Sequence, residues 1–174
     1  MSIIIVGCPR SGTRSAAVHY GVGHENPNPY GISSWYLVPK DPDLPFHTYM
    51  NPDDFWRKIH IMRNPLETIR SMHTLMDVSW DFLNKHTGCF VTPTKFSKRG
   101  DRNKLGTAAW AWLAWYRLIE KNFEEREVVK VETLREVENV RAKVRPAVTL
   151  EELHDVRPGI CKEIEAIGRK FKYW

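Results

Sequence analysis

Gly7 and Gly12 bracket the segment Gly7-Cys8-Pro9-Arg10-Ser11-Gly12-Thr13, which follows the apolar run Ser2–Val6 and leads into the helix-forming stretch up to Val18. Gly-x-x-x-x-Gly between a strand and a helix is the spacing of a loop whose successive backbone N–H groups, with the helix N-terminus behind them, cradle phosphate oxygens. A loop built for Mg-ATP ends in Gly-Lys-Ser/Thr, with the lysine on the terminal phosphates and the hydroxyl on magnesium. Thr13 and Arg14 stand in those places, which disfavours ordinary ATP chemistry. The cation sits earlier, at Arg10, where a planar fork suits the oxygens of a bound anion. A second constellation is Arg63-Asn64-Pro65 with Ser71 eight residues after the arginine. An arginine at a strand end and a hydroxyl two turns into the next helix can hold one terminal phosphate.

These residues need particular elements beneath them. Ser2–Val6 is a continuous β-branched run, as expected of a strand buried on both faces of a parallel sheet. Val22–His24 reads as a brief second strand. Residues 26–45, rich in Pro, Asn, Gly and Asp around the island Ile32–Val38, read as a long irregular excursion of the kind that carries binding function. Phe55–Met62 reads as a strand, and Pro65 opens a helix to about Leu75. The basic stretch 93–104 reads as an exposed loop. Leu105, Ala108, Ala109, Trp112, Trp115, Tyr116, Ile119 and Phe123 form one apolar helical stripe. Glu127–Val131 is a further strand, followed by a short helix over Glu132–Val137. Thr149-x-x-Glu152 is a capping box, and Ile160, Ile164 and Ile167 space a last helix that Gly168 ends. The fold class expected is α/β, a three-layer αβα domain spanning 1–174 with a central, mostly parallel sheet of P-loop NTPase type, ligands binding outside the carboxyl ends of its strands.

Cys8-Pro9-Arg10-Ser11-Gly12-Thr13 resembles the phosphosulfate-binding loop of sulfotransferases, and Arg63-Asn64-Pro65 through Ser71 resembles the segment by which they hold the 3′-phosphate of PAPS, 3′-phosphoadenosine 5′-phosphosulfate. More loosely, the aromatic helix Ala108–Tyr116 and Val129–Leu134 are similar to that family's Trp-containing helix and following strand. The resemblance covers residues 2 to about 135. It implies transfer of a sulfuryl group from PAPS to an acceptor hydroxyl or amine of a carbohydrate or small molecule, releasing adenosine 3′,5′-bisphosphate, with no metal. On this reading Arg10 stabilises the leaving oxygens, while Ser11, Gly12, Thr13, Arg14 and Ser15 hold the 5′-phosphate and Arg63 and Ser71 the 3′-phosphate. A hydroxyl acceptor needs a general base: the candidates are His24 with Glu25, and His47, which lies in a region from which some members draw a catalytic histidine. Where the family commonly carries Thr-Trp after the loop, this chain has Arg14-Ser15, so adenine stacking comes from elsewhere, Trp35 or Trp80, or is absent. Lys98-Arg99-Gly100 has the composition of the family's cofactor loop but precedes the aromatic helix. The chain is short for the family, which implies a stripped acceptor pocket or one completed by a second subunit in a homodimer.

Composition narrows the classes. With 174 residues, 42% apolar and 27% charged, the chain is an ordinary globular protein rather than a disordered, collagenous or coiled-coil one. No apolar run approaches the ~18 residues of a membrane span, and the first strand starts too early for a secretion signal, so a cytoplasmic protein away from membranes is expected. Cys8, Cys89 and Cys161 lack zinc or disulfide spacing, and reduced, mostly buried thiols are expected. A formal charge of +5 favours anionic partners. Two competing readings are a P-loop nucleotide kinase-like phosphotransferase, which lacks the loop lysine and a magnesium-binding carboxylate, and a non-catalytic nucleotide- or nucleic-acid-binding module using the basic stretch 95–104 and the tryptophans. The tryptophans follow helical core spacing, so no nucleic acid is expected.

Overall fold

A computed structural model of the chain describes residues 2–36, 52–72, 75, 77–87, 101–134 and 148–174. The chain divides into two compact units, Met1–Arg63 with Tyr116–Val144 and Asn64–Trp115 with Arg145–Trp174.

The first unit is built on β1 (Ile3–Gly7), α1 (Thr13–Tyr20), β2 (Gly23–His24), β3 (Gly31–Ser33), β4 (Arg57–Met62) and β5 (Glu127–Lys130). The strands form one sheet in the order β2-β3-β1-β4-β5, and every pairing is parallel. The α/β class read from the sequence is therefore what the chain adopts. β1 is central, with Ile4, Ile5 and Val6 buried, which is why its sequence is a continuous apolar run rather than an alternating one. Ile5, Ala16, Ala17, Val22, Ile59, Ile61 and Leu134 form one apolar core cluster of this unit.

β3 lies inside the stretch read as irregular. Its strand character comes from pairing on both sides, Ile4 with Ile32 in β1 and Gly23 with Ile32 in β2, which local composition does not encode. The return from β2 to β3 uses a turn instead of a helix: Asn28 Oδ1 accepts the N–H groups of Tyr30 (2.9 Å) and Gly31 (3.0 Å), and its Nδ2 donates to the Gly21 carbonyl. Gly31 has φ 139° and sits so close to the Ile3 backbone that a Cβ would collide with it, so only glycine fits. After β5 the chain makes a 3-10 turn at Val131–Thr133, in place of the start of the helix expected from Glu132. The rest of that expected helix lies outside the described residues.

The second unit holds α2 (Pro65–Met72), α3 (Asp77–Thr87), α5 (Leu150–Val156), α6 (Pro158–Lys170) and most of α4 (Asp101–Asn122), whose last turns from Tyr116 belong to the first unit. Pro65 opens α2 as expected. α3 is absent from the sequence reading, although Trp80 and Leu83, both buried, carry a helical spacing. α4 begins four residues inside the stretch read as loop, and its stripe from Ala108 to Phe123 is buried as expected. The capping box forms: Thr149 Oγ1 accepts from the Glu152 N–H at 3.0 Å and Glu152 Oε2 from the Thr149 N–H at 2.9 Å. Gly168 does not end α6, which runs to Lys170; the glycine is a seat for the Trp174 ring, which a Cβ would strike. No helix among the described residues is long and apolar enough to cross a membrane. Cys8 and Cys161 are buried.

Candidate functional site

The loop between β1 and α1 is a tight turn followed directly by a helix end. The Ser11 N–H donates to the Cys8 carbonyl at 3.0 Å, so Pro9 and Arg10 occupy the corners of a four-residue turn. Arg10 has φ 69°. Proline at the first corner and positive φ at the second describe a type II turn, whose second corner normally takes glycine or asparagine; an arginine there carries about 1–2 kcal/mol of backbone strain. Gly12, at φ 98°, then hands the chain to α1 with no side-chain cap and no acidic residue in the first turn. The Ala16 N–H reaches back to the Gly12 carbonyl at 3.0 Å, and the N–H groups of Thr13, Arg14 and Ser15 precede it without a helical acceptor. Ser11 is 2% exposed, and its Oγ has no hydrogen-bond partner among the described residues. That hydroxyl is held inside the loop against Gly7, where any Cβ would collide with it. A buried orphan hydroxyl costs roughly 1–3 kcal/mol, which an anion in the loop would offset. The donors present therefore fit a phosphate group: an orphan hydroxyl, an uncapped helix end and two arginines, Arg10 and Arg14, both exposed.

The ends of β2 and β3 brace the same helix end. Ser33 Oγ donates to the Thr13 carbonyl at 2.7 Å, and Thr13 Oγ1 lies 3.5 Å from His24 Nε2. Glu25 Oε1 is 3.8 Å from the same ring nitrogen, and the Glu25 N–H donates to the Ser33 carbonyl at 3.0 Å. Glu25, like Arg10, has positive φ, 62°. Burial pushes His24 below the usual histidine range; Glu25 opposes that shift and Arg14 reinforces it, so the ring is neutral at pH 7. Past β3, Trp35 and Tyr36 stack with ring centroids 3.9 Å apart, and Trp35 is 6% exposed.

Strand order puts Arg63 beside the loop. The chain proceeds from β1 toward β2 and β3 on one side and then crosses to β4 on the other, so the order reverses between β1 and β4. In open α/β sheets such a reversal opens a crevice at the carboxyl ends of the strands. Gly7 pairs in register with Ile61, and Arg63 is therefore the second residue past the strand position level with the start of the loop. Asn64 serves the helix: its Oδ1 accepts the Leu66 N–H and its carbonyl accepts from the Thr68 N–H and Oγ1, each at 3.0 Å.

Of the site residues read from the sequence, Arg10, Ser11, Gly12, Thr13, Arg14, Ser15, His24, Glu25 and Arg63 all belong to the first unit, on the loop, the first turn of α1 and the ends of β2 and β4. Ser71 lies on α2 of the second unit, as does Trp80 on α3, which is 4% exposed. His47 and Lys98-Arg99-Gly100 lie outside the described residues. Sequence reading missed Ser33 and Val131, which touch the loop from β3 and from beyond β5; neither carries a local signal, because both contacts depend on sheet order. Cys8 is buried, which pushes its thiol up and favours the protonated form. His60, 1% exposed, is a core residue with its ring 5.8 Å from that of Tyr116.

A shallow apolar groove of about 380 Å³, lined by Ile3, Tyr20, Gly21, Tyr30 and Trp56, lies at the opposite, amino end of the sheet. It holds none of the chemistry-bearing residues above. In comparisons with known proteins, no family model, no curated protein and no solved structure matches the chain.

Proposed function

We propose that the chain is a sulfotransferase that uses PAPS as donor and an acceptor hydroxyl or amine of a carbohydrate or small molecule, within a three-layer αβα domain of P-loop NTPase type. The observation that carries this reading is the lysine-free loop itself, with its buried orphan Ser11 hydroxyl, an uncapped α1 and Arg10, at the point where strand order reverses and beside the β4 end that bears Arg63. When bound, PAPS supplies the sulfuryl group: the acceptor oxygen forms a new bond to sulfur as the bond to the 5′-phosphate oxygen breaks, and its electron pair leaves with the phosphate.

The chain's residues then have distinct tasks. The N–H groups of Thr13, Arg14 and Ser15, with Ser11 Oγ, hold the 5′-phosphate, and Ser15 Oγ and Arg14 add to them. Arg10 meets the charge that develops on the leaving oxygen, an interaction stronger in the transition state than in the ground state. Arg63 reads the 3′-phosphate. His24, half-buried and for that reason held below the usual histidine range, accepts the acceptor proton with Glu25 beside it. Nucleotide phosphoryl transfer, the competing enzyme reading, gains no specific support from the loop.

Calorimetric titration with adenosine 3′,5′-bisphosphate tests the proposal, with Mg-ATP and 5′-AMP as controls. Selective binding of the bisphosphate is expected; preference for Mg-ATP, or no binding, overturns it.

A further inference from the structure

His24 stands two strands away from β1, yet its Nε2 reaches Thr13 Oγ1, the first side chain of α1. That contact gives the hydroxyl two alternative duties. Against a neutral ring, the Thr13 O–H can donate to the Nε2 lone pair and is then withheld from anything in the loop. Against a protonated ring, Nε2–H donates to Thr13 Oγ1, and the Thr13 proton is released to point at a bound anion. The charge and the hydrogen bond thus move together.

We propose that His24 belongs to the anion site itself and takes up a proton as a phosphate dianion settles in the loop. The inference deepens the sulfuryl-transfer reading and rests on it. In turnover the proton comes from the acceptor: its O–H bond breaks, the proton goes to His24, and the electron pair freed at sulfur goes to the 5′-phosphate, which becomes a dianion beside an imidazolium. Charge is conserved, and the product complex holds two opposite charges that the starting complex lacks.

Among the described residues, two charged groups act on His24. Glu25, next to it in the chain, favours the protonated ring; Arg14, from α1, opposes it; β3 contributes the neutral Ser33, paired with His24 in register. Burial is the largest influence and keeps the ring neutral before an anion arrives. An anion on the first turn of α1 adds an opposite charge next to Thr13 and shifts that balance toward the protonated ring.

The test is titration of the full chain with adenosine 3′,5′-bisphosphate at pH 7 in two buffers of different ionisation enthalpy, which yields the protons exchanged on binding. Wild type is expected to take up a fraction of a proton more than H24Q. Its affinity should fall about three- to tenfold more than that of H24Q between pH 6.5 and 8. The ligand's own ionisation is common to both proteins and cancels. Should H24Q fold poorly, the histidine ring NMR titration of wild type gives the same answer, with the His24 midpoint moving up on adding bisphosphate. Binding with equal proton exchange in the two proteins, or an unmoved His24 midpoint, overturns the inference while leaving the transferase reading standing. Failure to bind the bisphosphate overturns both.

Discussion

Val131 closes over Gly12: a Cβ built on this glycine would stand 2.5 Å from Val131 Cγ2, on a backbone already at φ 98°. The 3-10 turn beyond β5 therefore reaches across β4 to press on the hinge between loop and helix. Gly12→Ala should cost about 2–4 kcal/mol, combining left-handed backbone strain with overpacking. Adding Val131→Ala should restore only the overpacking share, so a double-mutant cycle by denaturant unfolding should show coupling of about 1 kcal/mol or more. Additive effects would mean that the contact is not made.

Arg10 offers a separation of stability from function. Arg10→Gly removes backbone strain of about 1–2 kcal/mol and adds glycine's entropy cost of about 0.5–1 kcal/mol, so stability should hold or rise by up to about 1.5 kcal/mol. On the sulfuryl-transfer proposal, turnover at saturating donor should fall at least tenfold, because that proposal places the lost charge on the transition state. Unfolding curves and initial rates check the two halves independently.

Arg63→Ala should weaken adenosine 3′,5′-bisphosphate by roughly ten- to a hundredfold, the loss of a charge-assisted contact of about 1.5–3 kcal/mol. Affinity for 5′-AMP should stay within about twofold, since that ligand has nothing for Arg63 to hold. Equal losses for the two nucleotides would remove Arg63 from the 3′-phosphate.

Stability of the ligand-free protein should carry a trace of His24. Its ring sits below 6.5 in the folded state because of burial, so the unfolded chain binds the proton more readily. The contribution is complete above pH 6.5 and is lost as pH falls through the lowered folded value. The thermal midpoint of H24Q should accordingly decline less between pH 7 and pH 5 than that of wild type.

What the sequence revealed is what its neighbours along the chain determine. β1 declares itself through three isoleucines and a valine, α2 through Pro65 at its first position, and α5 through the reciprocal bonds of Thr149 and Glu152. The turn from Gly7 to Thr13 is legible for the same reason, since glycine spacing and the helix end fall within seven residues. β3 is hidden because Gly31–Ser33 becomes a strand only when β1 and β2 flank it. The left-handed Arg10 is hidden because nothing in Pro-Arg-Ser forces an arginine into a glycine conformation, and the Thr13–His24 contact is hidden because the width of β3 separates them. Gly168 misleads in the other direction: it reads as a stop signal, but its missing side chain accommodates Trp174.

The central position of β1 also bears on how the chain is made. β1 leaves the ribosome before either of its neighbours; β3 is complete at Ser33, but the other edge of β1 is bare until β4 is complete at Met62. During that interval the nascent chain exposes the hydrogen-bonding edge of its most apolar strand, the condition under which strands recruit wrong partners. The crevice on that same edge, with Arg63 just beyond β4, forms only when the gap closes. A nascent chain stalled before residue 57 would carry the whole loop sequence and an open, aggregation-prone sheet edge.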